Sequence, residues 1–256
     1  DRATLDAQDG IGQRIASILQ MHLKFVELGA ACLDYPLMSD LGYGDTAWGN
    51  VMHYHRTADI IREAISRVSK LEEDSEECKV CTAWLFGYAA HFATDLTIHP
   101  VIELKVGPYE QNAIKHRECE MHQDAFIYKS ILGAEITEAE HIRANIAHCT
   151  DPSGGPALYK RLTRLWAECL QAVASGTFVM KGGLPSPKAA PDPDAWHNWF
   201  VTSIDKGAEE LGGLPLSFWN LTNLHGLAYP SGDRSQREFN AALASLFLES
   251  SCKSFL

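Results

Sequence analysis

Apolar side chains recur every three or four residues along most of the chain, which is the spacing of amphipathic α-helices. The predicted helices are residues 11–31, 57–71, a segment around His91, 111–132, 137–148, 158–173, 196–211 and a last segment with Phe239 and Phe247. No stretch alternates apolar and polar residues over several positions, as a half-buried strand does. The sequence therefore predicts an all-α fold, a single multi-helix bundle of seven to nine helices over residues 1–256.

Proline and glycine predict where this helical pattern stops. Pro36, Gly42 and Gly44 predict a loop over residues 32–45, which would place Asp34 outside any helix. Pro100 is expected to end the helix around His91 soon after His99, because proline removes a main-chain donor and clashes with the preceding turn.

Six side chains of the types that bind metal ions occur at steps of four residues on two consecutive predicted helices. They are His91, Asp95 and His99 on the first helix and His116, Glu120 and Asp124 on the second. Residues four apart lie on one face of a helix, so each helix presents a ladder of nitrogen and oxygen donors. Imidazole with carboxylate is a ligand set that suits zinc. Two facing ladders would enclose a divalent ion, whereas an isolated histidine on a helix is usually an ordinary surface or core residue.

Composition limits the partners and the compartment. The chain has 22 basic and 33 acidic residues and a net charge of -11, which disfavours nucleic acid or an anionic membrane as a standing partner. No apolar run is long enough to span a membrane. The seven scattered cysteines and the polar first ten residues favour a cytoplasmic protein, or a secreted one if a leader has been removed.

The segment around these ladders resembles a known family. The strings G-Y-A-A-H-F-A-T-D-L-T-I-H-P, V-G-P-Y-E and H-R-E-C-E-M-H-Q-D, with L-D-Y-P and M-H-Y-H-R-T upstream, are similar to the zinc-dependent phospholipase C family. The resemblance covers residues 28–131 and implies the all-helical bundle that the family shares with S1/P1-type nucleases. It also implies a lipid or small-molecule substrate and a zinc-activated water that attacks a phosphodiester.

The same resemblance implies a ligand set. One zinc would be held by Asp34, His53, His91 and Asp95, and a second by His99, His116 and Glu120. Asp1 stands where members with a third zinc have tryptophan, so we expect one or two ions. Asp34 is also the expected proton acceptor, and His122 and Asp124 are expected to orient zinc ligands.

Two alternatives remain open at this stage. A divergent enzyme similar to the cyclopenase of fungal quinolone alkaloid pathways would use zinc as a Lewis acid on a carbonyl or amide of a small molecule. A structural zinc module would have a coordination sphere saturated by protein ligands, although such sites usually contain cysteine.

Overall fold

In the computed structural model the described parts of the chain are mostly α-helical. The structure describes residues 2–38, 43–135, 140–152, 155, 157–174, 187 and 189–210, and these contain ten α-helices and one π-helical turn. The helices are α1 (Arg2–Met21), α2 (Leu23–Ala31), α3 (Tyr35–Met38), α4 (Tyr43–Asn50), α5 (Thr57–Val68), α6 (Glu76–Val106), α7 (Tyr109–Leu132), α8 (Glu140–Ala147), α9 (Lys160–Ala174) and α10 (Pro193–Glu210), and the π-turn is Val51–His55. Within these described residues the only strand-like pairing is an isolated bridge between Thr150 and Leu158. The all-α prediction is confirmed.

The described chain divides into two compact units, and the chain crosses between them within α6 and again within α8. The first unit contains the described residues up to Thr94 and those from Ala144 onward. The second contains the described residues from Asp95 to Arg143. The expectation of one domain over residues 1–256 stays a prediction, and the predicted last helix with Phe239 and Phe247 lies outside the described residues.

Aromatic rings form the core of the first unit. The ring of Trp166 on α9 lies 5.8 Å from that of Trp84 on α6 and 5.8 Å from that of Trp196 on α10, and all three rings are fully buried. The other apolar positions of α9 are buried as their spacing predicts: Leu162, Leu165, Cys169, Leu170 and Val173. Burying one large apolar side chain contributes about 1.5–3 kcal/mol, so this core fixes the helices that carry the site.

Two glycines allow α2 and α6 to touch along their backbones. A Cβ atom on Gly29 would lie 2.1 Å from the carbonyl oxygen of Trp84, and a Cβ on Gly87 would lie 2.0 Å from that of Val26. Any larger residue at either position would push the helices apart, because the obstructing atoms belong to main chain. The last turn of α2 is thereby held beside the turn of α6 that follows Gly87.

The prediction of a loop over residues 32–45 is wrong for most of the described residues in that range. Residues 35–38 form α3, and α4 begins at Tyr43. Pro36 is the second residue of α3, in the first turn of a helix, where a missing N–H breaks no intrahelical hydrogen bond. Asp34 lies between α2 and α3 and belongs to neither helix, as predicted.

Pro100 does not end α6, and that prediction was also wrong. The helix continues to Val106, and the extra turns bury Ile102 completely while the Pro100 ring stays exposed. This burial offsets the hydrogen bond that proline removes. Gly107 ends the helix instead, with φ at 92° and its N–H donating to the Glu103 carbonyl at 2.8 Å.

Candidate metal centre

The structure brings Asp34, His53 and His91 together within the first unit. One potential ligand atom from each lies within 4.8 Å of the other two. Asp34 Oδ1 lies 3.1 Å from His53 Nε2, and the imidazole rings of His53 and His91 meet edge to face with centroids 5.4 Å apart. Asp34 comes from the α2–α3 connection, His53 from the π-turn and His91 from α6. Three separate segments therefore converge on one point.

Main-chain carbonyls fix both imidazoles of this group. His53 Nδ1 lies 2.9 Å from the Gly49 carbonyl oxygen, and His91 Nδ1 lies 2.7 Å from the Ala30 carbonyl oxygen. A carbonyl only accepts, so each Nδ1 carries the proton and donates. In a neutral imidazole Nε2 is then the unprotonated nitrogen. Anchoring of the other ring nitrogen in this way is characteristic of metal-binding histidines.

The Asp34–His53 contact tests whether a cation fits this place. With Nδ1 protonated, His53 Nε2 is an acceptor in the neutral ring, and it faces a carboxylate oxygen at 3.1 Å. Two acceptors at that distance repel unless a proton or a cation lies between them. The donor set of two imidazoles and one carboxylate suits zinc. The residues present therefore fit a zinc ion.

The second group consists of His99, His116 and Glu120, all within the second unit. Their potential ligand atoms also lie within 4.8 Å of one another. Glu120 Oε1 lies 3.4 Å from His99 Nε2 and 3.2 Å from His116 Nε2, and the two imidazole centroids are 4.8 Å apart. His116 is 1% exposed, and neither of its ring nitrogens makes a hydrogen bond of good geometry with any described residue. A buried imidazole without such hydrogen bonds is also suited to bind a cation through a ring nitrogen.

Proton affinities in the second group follow from burial and from mutual contact. A hydrogen bond to Glu120 raises the pKa of His99, although burial acts in the opposite direction. Burial lowers the pKa of His116, and the Glu120 charge only partly offsets this. Burial raises the pKa of Glu120 more than any other single effect, but His99, Arg117 and His116 together outweigh it and the pKa is lowered. At neutral pH the group thus offers an ionised carboxylate and a neutral His116.

Three further predicted site residues lie on the same two helices. Asp95 Oδ1 lies 3.7 Å from His99 Nε2, next to the second group. His122 and Asp124 are on α7 and belong to neither cluster of donor atoms found among the described residues. Asp124 is exposed and borders a shallow apolar depression with Ile127. The proposed roles of these three residues stay predictions.

Sequence reasoning missed the main-chain acceptors at Gly49 and Ala30. A carbonyl oxygen is present at every residue, so residue type gives no direct sign of its use. One indirect sign existed for His53, because Gly49 precedes it by four residues, whereas the acceptor for His91 is far away in sequence. Gly49 is itself constrained, since a Cβ there would lie 2.4 Å from the Leu37 side chain.

Comparison with protein families matches residues 2–176 to the family described as zinc dependent phospholipase C. The match covers more than half of the chain and includes both donor groups. The chain belongs to the zinc-dependent phospholipase C family. Neither the curated proteins nor the solved structures gave a match.

Membership of the zinc-dependent phospholipase C family supports a hydrolytic enzyme with zinc as its metal, and it agrees with the all-helical fold. The comparisons give no support to the lyase alternative similar to cyclopenase, nor to a role in secondary metabolism. Among the described residues, no helix combines the length and apolar character needed to cross a membrane.

Proposed function

We propose that this chain is a phospholipase C that uses two zinc ions to hydrolyse a phospholipid phosphodiester. Asp34, His53 and His91 would hold the first zinc. His99, His116 and Glu120 would hold the second. The observation that carries the proposal is the acceptor-to-acceptor contact between Asp34 Oδ1 and His53 Nε2 at 3.1 Å, with both histidines of that group held through Nδ1.

The bound metal would supply a Lewis acid that polarises the phosphoryl oxygen and lowers the pKa of water. The chain supplies the remaining functions. The Asp34 side chain is 45% exposed and therefore accessible to water. We propose that its carboxylate accepts the proton of the attacking water. As water attacks phosphorus, the bond between phosphorus and the diacylglycerol oxygen breaks. That oxygen takes up the proton that water gave to Asp34, so diacylglycerol leaves as an alcohol and the headgroup is released as a phosphate monoester.

The charge of the chain narrows the lipid class. A net charge of -11 repels anionic surfaces at a distance. A zwitterionic headgroup avoids this repulsion and still presents one phosphodiester to the site. We therefore propose a zwitterionic phospholipid as the substrate class.

The direct test combines metal analysis with turnover. We expect about two zinc ions per chain after dialysis, hydrolysis of short-chain phosphatidylcholine, loss of hydrolysis with a chelator and recovery on adding zinc. His148→Ala is the control, because His148 is exposed and lies in neither donor group. A zinc-replete protein that cleaves no phosphodiester would refute the proposal, and collapse of the fold on chelation in such an inactive protein would instead support a structural metal.

A further inference from the structure

His53 is carried by a segment of unusual geometry. Residues Val51–His55 form a π-turn, in which the N–H of Arg56 donates to the carbonyl of Val51 five residues earlier, at 3.0 Å. Such turns are rare, are usually isolated within or between α-helices, and occur frequently at functional sites. The extra residue in the turn changes the direction of the side chains that follow it. The orientation of His53 therefore depends on whether this turn forms.

One buried hydroxyl is bonded to this turn. Thr57, the first residue of α5, is 4% exposed, and its Oγ1 donates to the carbonyl oxygen of Met52, which is itself completely buried. Met52 directly precedes His53. Without the hydroxyl, that carbonyl would lose a partner in a place that water reaches poorly, and such a loss favours a different main-chain arrangement.

We propose that Thr57 is a positioning residue for His53, acting through the π-turn. The hydroxyl holds the Met52 carbonyl, the turn then directs His53 Nδ1 to the Gly49 carbonyl, and Nε2 is left facing Asp34. Thr57 itself belongs to neither donor group. The link to catalysis rests on the proposed function, but the effect on the His53 ring does not.

The matched experiment compares Thr57→Val with Thr163→Val. Thr163 lies in the same unit, on α9, and its hydroxyl also donates to a main-chain carbonyl, that of Tyr159, at 3.3 Å. Both changes replace a hydroxyl by a methyl group of similar size, but only Thr57→Val acts on the π-turn. Thr57→Ser restores the hydroxyl and is the rescue variant.

The first readout is zinc affinity measured by chelator competition. We expect Thr57→Val to weaken zinc binding at the first group by about tenfold, the lower end of the effect of outer partners of metal ligands, and to leave the second group unchanged. Thr57→Ser and Thr163→Val should stay close to the unmodified protein. Equal affinities for Thr57→Val and Thr163→Val would overturn the proposal, as would a loss that affects both groups alike.

The second readout needs no metal. Side-chain ¹⁵N shifts of His53, recorded at one fixed pH in metal-free protein, report which ring nitrogen carries the proton. We expect Nδ1 to be protonated in the unmodified protein and in Thr163→Val, and a mixture of tautomers in Thr57→Val. An unchanged His53 spectrum in Thr57→Val overturns the inference even if zinc binds. If the unmodified protein binds no zinc, the proposed function fails, while this readout still decides the role of Thr57.

Discussion

The two donor groups contain similar residues but are held in different ways. In the first group, main-chain carbonyls fix His53 and His91 through Nδ1. In the second group the side chains hold one another, since Glu120 contacts the Nε2 atoms of both His99 and His116. The first group is therefore organised by backbone packing and the second by charge.

This difference predicts different sensitivities. A main-chain carbonyl has no proton to gain or lose near neutral pH, so a backbone-organised group should respond mainly to changes that move helices. A group organised by proton-binding side chains should respond mainly to pH and to removal of a charge. Single substitutions in each group can therefore separate the two behaviours.

The largest effect should come from removing one ligand at a time. We expect His91→Ala to lose the first zinc and Glu120→Ala to lose the second, each with retention of the other ion and of most helical signal. Since losing an outer partner already costs about 10–100-fold in metal affinity, losing a ligand should cost more than about 100-fold. Metal analysis and turnover give the answer. Full zinc content in either variant contradicts the ligand assignment, and loss of both ions from one variant shows that the groups are coupled.

The next effect should come from backbone packing alone. In Gly87→Ala the new methyl group would meet the Val26 carbonyl at 2.0 Å, so α2 and α6 must separate and the Ala30 carbonyl must move from His91. We expect a destabilisation of about 1–3 kcal/mol, as for overpacking, and a zinc affinity about tenfold lower at the first group only.

Gly12→Ala is the control for this change. Gly12 lies in α1, and no atom lies within 4 Å of the place that a methyl group would take there, so alanine should raise stability by up to about 1 kcal/mol through helix propensity. Denaturant unfolding and chelator competition on both variants test the pair. Unchanged binding at the first group in Gly87→Ala would remove backbone packing as the organising factor.

Sequence reasoning recovered the second group more completely than the supports of the first. His99, His116 and Glu120 follow from helical spacing, because a period of 3.6 residues fixes which side chains share a face. Asp34 and His53 came from family resemblance, since connections and a π-turn have no periodic pattern. The helix end predicted at Pro100 was wrong because burial of Ile102 outweighs the helix-breaking effect of proline. The loop predicted around Pro36 was wrong because proline is tolerated in the first turn of a helix.

A smaller effect should appear in the pH dependence of the metal-free protein. The raised pKa of His99 gives a contribution to stability that is complete below its ordinary value of about 6.5 and is lost as pH rises through the folded-state pKa. The free energy of unfolding of the unmodified protein should therefore exceed that of His99→Gln by less and less as pH rises from 6 to 9. Denaturant unfolding of both proteins in the presence of a chelator measures this difference. A difference that stays constant between pH 6 and pH 9 would show that charge does not organise the second group.

The smallest effects should come from Asp124 and His122. Asp124 is one turn beyond Glu120 on the same face of α7, but it is exposed beside an apolar depression. His122 is two residues from Glu120 and so points to a different face. Both residues are predicted to orient zinc ligands, so we expect Asp124→Asn and His122→Gln each to weaken zinc binding at the second group by no more than about tenfold, whereas neither should alter the first group. Unchanged zinc binding in both variants would contradict these two roles, and the second group would then depend on its three clustered side chains alone.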